Sequence, residues 1–325
     1  MQTKSILKLA LPVVMGMSLL GAQAQGTGYP QKSIRLLVAA PAGSAPDLIA
    51  RIVGEKLSKQ MGQAVLVDNR PGAGGIVAMN LLKTSPADGY TLAIPQAAVV
   101  TVTPFTYKEA NYNVERDFET FAVVATSPMM LVTNATNPAK TFADAIAMAK
   151  AKPDQVAVGN PTRTSIPHLF AELAGIKSGA KFQQVSFANT GQGIQAVVNG
   201  DTALYTDGVG PLIQLVKSGR LRALAVASET ELPGMEGIPL ANKTVPGLNV
   251  SGWFSMQAPK GTPSAILQRL NTEINIILKQ PDVIAKFAEF GTYPTPGSVP
   301  ESQAFIKSEV AKFGDVIRAL GLKPE

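Results

Sequence analysis

Short apolar or β-branched runs alternate with helical patterns along almost the whole chain, and this alternation is the strongest constraint on its fold. Residues 34–39, 64–68 and 90–94 read as strands, each followed by a turn signal and then by apolar residues at helical spacing. The rhythm resumes at residues 123–133, 155–159, 182–187, 202–206 and 221–227. A helix that follows a strand returns the chain to the sheet in the same direction, so the pattern predicts an α/β fold with mainly parallel sheets flanked by helices. About nine strands would make a single sheet wide and open, which favours two sheets and two lobes. After VSGWFSMQAP the character changes: residues 263–290 and 300–320 carry two long helical patterns with no clear strand between them. Terminal helices that pack back onto the first lobe make it discontinuous. The expected lobe 1 is residues 25–126 plus 252–325, lobe 2 is residues 127–251, and the two crossovers fall near Thr126 and Gly252.

The first 24 residues stand apart, because Lys4 and Lys8 precede an apolar run at residues 9–20 that ends in Ala22-Gln23-Ala24. A basic start, a short apolar run and an A-x-A site describe a secretory signal, cleaved near Ala24. The run has about a dozen residues and contains Pro12, whereas a spanning helix needs about 20. A membrane anchor is the alternative reading of this segment. No later stretch is long and apolar enough to span, so an exported, soluble mature chain is expected. It has no cysteine, which leaves burial rather than disulfides to stabilise it in an oxidising compartment. With 46% hydrophobic and 16% charged residues, the balance is that of a globular chain, not a disordered one. The formal charge is +6, but the basic residues are scattered singly without the stripe that nucleic-acid binding leaves.

Several strand-to-helix loops could carry chemistry. In AAPAGSAPD, residues 39–47, Pro41, Gly43 and Pro46 break the strand, and Leu48, Ile49, Ile52, Val53 and Leu57 form one apolar helical face behind it. The helix start is an anion site by virtue of its unpaired N–H groups and partial positive charge. No G-x-G-x-x-G and no G-x-x-x-x-G-K-[ST] occurs, so a carboxylate suits it better than a polyphosphate, and no nucleotide cofactor is expected. The competing reading is an ordinary turn capped by Ser44, with Asp47 favouring the helix dipole. DNRPGAGG, residues 68–75, is either a close-packing turn or a second approach for a ligand.

The loop VGNPTRTSIPHLF, residues 158–170, is the most polar of these. Asn160, Thr162, Arg163, Thr164 and Ser165 offer donors, and Arg163 can meet a carboxylate with two parallel hydrogen bonds. His168 is the only histidine and reads either as a packing or capping residue or as a catalyst. Further on, Asn189, Thr190 and Gln192 precede a short helix, and Asp207 follows a strand end as an N-cap or a polar anchor. A single histidine and no cysteine exclude H-E-x-x-H and cysteine-based zinc sites and Cys-His catalysis, so no metal site and no catalytic residue is expected. There is no G-x-S-x-G elbow, and the match of residues 178–181 to S-x-x-K lacks its companion motifs.

Loops at strand C-termini share one edge of an α/β sheet, and two such edges facing each other across crossing strands make a hinged cleft for a small polar ligand. YPQKSIRLLVAAPAGSAPDLIARI, VDNRPGAGG, PADGYTLAI, GRLRALAVAS and GWFSMQAPKGTP also resemble, in order over residues 29–322, the successive motifs of the Bug-type receptors, the solute-binding components of tripartite tricarboxylate transporters. The resemblance implies a two-lobed Venus-flytrap fold of the type II-like periplasmic binding proteins. Such a receptor captures carboxylates through helix N-termini and bridging water, and delivers them to membrane permease subunits. The family's first loop, P-P-G-G-x-x-D, falls on residues 41–47 and implies ligand contacts from Gly43, Ser44, Ala45 and Asp47, with Ser44 and Ala45 replacing glycines. Its lobe-two loop, G-S-x-G-x-G-S-x-S-H, falls on residues 159–168 and implies Asn160, Arg163, Thr164, Ser165 and His168. Thr162, Arg163 and Thr164 stand where small residues are common, and the added guanidinium points to a dicarboxylate. Phe187 would supply a ring near the site for an aromatic spacer, and Asp207 matches the family's cleft-shaping acid. Gln96 and Thr190 complete the expected ligand-binding set. The expected protein is a periplasmic monomer without catalysis. The alternatives are a receptor that presents its ligand to a membrane sensor kinase and an exported small-ester hydrolase.

Overall fold

A computed structural model describes residues 28–324, so the predicted signal and its cleavage site lie outside the described residues. Strand β1 (Ile34–Val38) is flanked by β2 (Val65–Asn69) and β3 (Thr91–Ile94), both parallel to it. The helices Ala45–Met61 and Ile76–Lys83 make the two crossovers. Ile49, Ala50, Val53 and Leu57 form the buried stripe of the longer helix, which ends where Gly62 turns left-handed at φ 69° and donates to the Ser58 carbonyl.

The chain then leaves this first half in β4 (Phe118–Asn134), a 17-residue strand about 55 Å long at ordinary strand rise. Its second half continues with β5 (Ala157–Asn160), β6 (Gln183–Ser186), β7 (Leu204–Gly208) and β8 (Leu221–Val226). β5 pairs in parallel with β6 and β7, and the end of β4 pairs antiparallel with β7 on one side and β8 on the other. β9 (Ser251–Pro259) returns the chain, pairing antiparallel with β4 from Phe118 to Pro128. The main path through the sheet is β2-β1-β3-β9-β4-β7-β5-β6, with β8 pairing to β4 off this path.

The α/β architecture is as expected, but the two mainly parallel sheets predicted are one mixed sheet, because β4 is long enough to pair in both halves and joins them. The outer strands are parallel, whereas the strands joining the halves are antiparallel, because one carries the chain out and the other brings it back. The C-terminal third also differs. The pattern at residues 263–290 is two helices, Ser264–Leu278 and Pro281–Glu289, since Pro281 has no N–H to continue the first and starts a new one instead. Between the last of these and the helix Val299–Ala319 lies β10 (Tyr293–Pro294), paired with Thr126 and Ala125 of β4. Two residues carry no periodicity to read.

Alternate residues of β4 face opposite sides of the sheet. Met129 and Leu131 join a core with Phe142, Phe170, Trp253 and Phe313, while Met130 and Val132 join Tyr205, Val209 and Leu212. A third core, including Ile34, Ile49, Phe121, Ile274 and Phe287, lies within the first half. The core containing Met129 thus runs through both halves, and the strand-end loops are held on a continuous scaffold.

Candidate functional site

The loop after β1 places residues 41–47 at the sheet edge. Gly43 turns left-handed at φ 80°, and its N–H donates to Asp47 Oδ2 at 2.8 Å. Ser44 takes the extended N-cap conformation, but its hydroxyl donates to the Pro41 carbonyl at 2.6 Å and caps nothing. The competing reading of a turn capped by the Ser44 side chain is therefore corrected: its hydroxyl is spent on the preceding Pro41 carbonyl. Ala45 and Asp47 open the helix with N–H groups that no helical carbonyl can reach, and Pro46 has none. Asp47 is only 2% exposed. Its Oδ1 accepts from Asn69 Nδ2 at 3.0 Å and pairs with Arg51 at 3.0 Å, and its Oδ2 also accepts from Arg51 Nε at 3.0 Å. Burial opposes its ionisation, yet the Arg51 guanidinium, the Gly43 N–H and the Asn69 amide together hold its carboxyl below the ordinary range. Asp47 thus fastens the loop, with its acceptor capacity spent inside the protein.

On the same edge, half-buried Gln96 follows β3, bridges to Phe254 of β9, and precedes the short helix Ala97–Thr101. The glycines after β2 serve packing: a Cβ on Gly75 would meet Val99 at 2.6 Å and one on Gly74 would meet Tyr107 at 3.2 Å.

In the other half, Asn160 ends β5 fully buried. Its Oδ1 accepts from Ser186 Oγ at 2.8 Å and its carbonyl accepts from the Phe187 N–H at 3.0 Å. Its Nδ2 is buried and hydrogen-bonds nothing among the described residues. Ser165 caps the helix Ile166–Ser178, accepting from the His168 N–H at 3.3 Å. His168 is 5% exposed, with Nε2 3.5 Å from Glu172 Oε1 and a buried Nδ1 that also lacks a hydrogen-bond partner among the described residues. Thr164 holds φ 62°, a left-handed conformation that crowds a β-branched side chain. Phe187 lies over Gly159, where a Cβ would come within 3.0 Å of its ring, and packs with Tyr205 in the core of this half.

Asp207, at the end of β7, does not cap the helix that follows. Its Oδ1 accepts from the Gly208 N–H at 2.8 Å, and its Oδ2 accepts from Tyr205 Oη at 2.9 Å and Thr190 Oγ1 at 3.0 Å. Burial pushes its pKa up, only partly offset by these three donors. Asp207 and Thr190 thus tie the end of β7 to the start of the helix Thr190–Asn199.

The structure brings Asn160 together with Phe187, and Thr190 with Asp207. Arg163 and Thr164 line a cavity of about 480 Å³ whose other walls are Thr106, Tyr107 and residues 320–324. The loop of Gly43, Ser44, Ala45 and Asp47 is not among that cavity's lining. Tyr107 escapes the sequence reading; its only signal is that it is a large aromatic residue outside any apolar stripe, and 37% of it is exposed. No group of three or more His, Cys, Asp or Glu among the described residues could hold a metal, and none of their helices is long and apolar enough to cross a membrane.

Two α/β halves joined by antiparallel crossing strands, with helix N-termini and polar loops at the strand ends, define the two-lobed architecture of periplasmic binding proteins. A family model described as tripartite tricarboxylate transporter family receptor matches residues 49–322, and the chain belongs to that family. A UPF0065 protein of Bordetella bronchiseptica is 32% identical over 316 residues, 97% of this chain and 93% of that protein. Protein BugT of Bordetella pertussis is 31% identical over 301 residues, 91% of each. Among solved structures, R. palustris Rpa4515 with adipate is similar, with 28% identity, a TM-score of 0.77, and coverage of 91% of this chain and 100% of that one.

Proposed function

We propose that this chain is a periplasmic receptor that captures a small dicarboxylate between lobes formed by residues 25–126 plus 252–325 and residues 127–251, and delivers it as a monomer to the permease subunits of a tripartite tricarboxylate transporter. The observation that carries this reading is the Asn160 amide: a buried Nδ2 donor with no acceptor among the described residues, at the end of the strand that leads through residues 161–165 into the helix Ile166–Ser178. A buried donor without a partner calls for an acceptor, and a helix N-terminus favours an anionic one. The first lobe offers a second helix N-terminus after Gly43, held in place by Asp47. Rpa4515, a relative of the same fold, is seen with adipate, a dicarboxylate. Gly43, Ser44, Ala45, Gln96, Thr164, Ser165 and His168 are assigned to the walls of the site, and Asp47, Phe187, Thr190 and Asp207 support it from behind.

Arg163 is assigned to the second carboxylate. In a thermal-shift and calorimetric comparison of adipate with hexanoate, Arg163→Ala is expected to weaken adipate binding about tenfold and hexanoate binding little. Equal losses for both ligands would remove Arg163 from this role, and no binding of any mono- or dicarboxylate by the parent protein would overturn the carboxylate reading.

A further inference from the structure

The segment between the helix Pro281–Glu289 and β10 belongs to the first lobe, yet it presses on the second. A Cβ added to Gly210, in the first turn of the helix Val209–Lys217, would lie 2.9 Å from the carbonyl carbon of Phe290 and closer still to its oxygen. A Cβ added to Gly291 would lie 2.6 Å from Gly210 Cα and 3.0 Å from the Val209 carbonyl carbon. Both obstacles are backbone, which cannot swing aside as a side-chain tip does. Gly291 also holds φ 62°, where a side chain is strained, while glycine in the first turn at Gly210 forgoes the better helix propensity of alanine. Two residues on, Tyr293 Oη donates to the Pro233 carbonyl of the second lobe at 3.2 Å, and β10 pairs with β4 at Ala125 and Thr126, next to the crossing.

The other face of the sheet is built differently. There Lys312 of the last helix donates to the Asn249 carbonyl at 3.3 Å, and Glu309 pairs with Lys312 and accepts from Trp253 Nε1 at 3.0 Å. Of these only the Lys312–Asn249 bond crosses between the lobes, and its donor is a long flexible lysine side chain, which Glu309 steadies from within the first lobe.

We infer that Gly210 and Gly291 form a backbone-on-backbone pivot that sets the angle between the lobes, and that they act on ligand binding as positioning residues without touching the ligand. A hinge of two crossing strands leaves rotation about the strands open, and a rigid contact beside them selects among the rotations. Any side chain at the pivot acts as a wedge. To restore ordinary carbon contact, a methyl on Gly210 must gain about 1 Å, which at labels several times farther from the hinge becomes a shift of about 3 Å.

The chain has no cysteine, so labels can be placed freely. With Lys59→Cys in lobe 1 and Lys150→Cys in lobe 2, both exposed helix positions, pulsed electron paramagnetic resonance reads the interlobe distance of the ligand-free protein. Gly210→Ala and Gly291→Ala are each expected to displace the distance distribution, and Gly210→Val to displace it further. Gly219→Ala is the control: it is equally strained at φ 74° but has nothing within 4 Å, and should lower thermal stability without moving the distance. Folded pivot variants with the parent distance would overturn the proposal. So would loss of fold in both pivot variants while Gly219→Ala folds, since a pivot yields where a packing contact unfolds. The inference rests on the two-lobed receptor reading, and repeating the parent measurement with adipate separates the two. A parent distance unmoved by adipate counts against adipate as ligand and leaves the wedge result standing.

Discussion

Each lobe sets a buried aspartate where a strand hands over to a helix, and the two are held in opposite ways. Asp47 is surrounded by a guanidinium, an amide and a backbone N–H, so its charge is compensated and its pKa is lowered despite burial. Asp207 has two hydroxyls and one N–H but no cation partner among the described residues, so burial dominates and its pKa is raised. The same residue type at equivalent places thus gives a fixed negative buttress in one lobe and a reluctant charge in the other. Hydrogen-bond count does not separate them; the deeper burial of Asp207 and the Arg51 cation beside Asp47 do.

The largest expected effect follows from that contrast. Asp47→Asn turns an amide N–H₂ toward Arg51 or Gly43, both donors, and should cost about 2–3 kcal/mol, read as a lower urea midpoint at unchanged slope. Asp207→Asn removes a charge that the site holds poorly, and should cost less than about 1 kcal/mol. Equal costs would break the comparison.

The pH dependence of stability should differ in sign as well. A lowered pKa means that the contribution of Asp47 is complete above its unfolded value of 3.8 and is lost as pH falls through the lower folded value. A raised pKa means that protonation of Asp207 stabilises the fold fully below 3.8, and that this contribution is lost as pH rises through the higher folded value. Melting temperatures across acid pH should therefore show the Asp47→Asn deficit shrinking as pH falls. Asp207→Asn should gain on its parent as pH rises from 4 toward neutrality, whereas a gain on acidification instead would sharpen the case against a raised Asp207.

A smaller difference separates the two loops themselves. The first gives its left-handed position to a glycine, Gly43, while the second gives it to a threonine, Thr164. Thr164→Gly should release about 1 kcal/mol of backbone strain net of glycine's added freedom in the unfolded chain, measured by the same urea titration. A destabilised variant would show that the Thr164 side chain holds the loop.

Much of this was legible in the sequence, and the misses have definite causes. The loop after β1 is readable because Pro41, Gly43 and Pro46 punctuate it, and the family resemblance rests on motifs of this local kind. The role of Ser44 was not readable, since serine at an N-cap position can bond forward to the helix or back to Pro41, and only coordinates show which. Asp207 reads as a cap because its sequence neighbours offer a helix start, whereas its partners Tyr205 and Thr190 include a residue on another element. Arg163 is legible as a donor in a polar loop, whereas Thr106, Tyr107 and residues 320–324, the other walls of the cavity it lines, come from segments distant in the chain. β10 and the contact between Gly210 and Gly291 leave no trace in periodicity.

By itself, the sequence determined the βα rhythm, the positions of the strand-end loops and the family, because hydrophobic period, turn chemistry and short motifs are properties of neighbouring residues. Tertiary structure alone decided that the joining strands run antiparallel, that Asp47 meets a cation while Asp207 does not, that Asn160 keeps a buried donor, and that two glycines far apart in the chain press backbone to backbone. Each of these depends on which distant segments share a space, and residue spacing along one chain carries no measure of that.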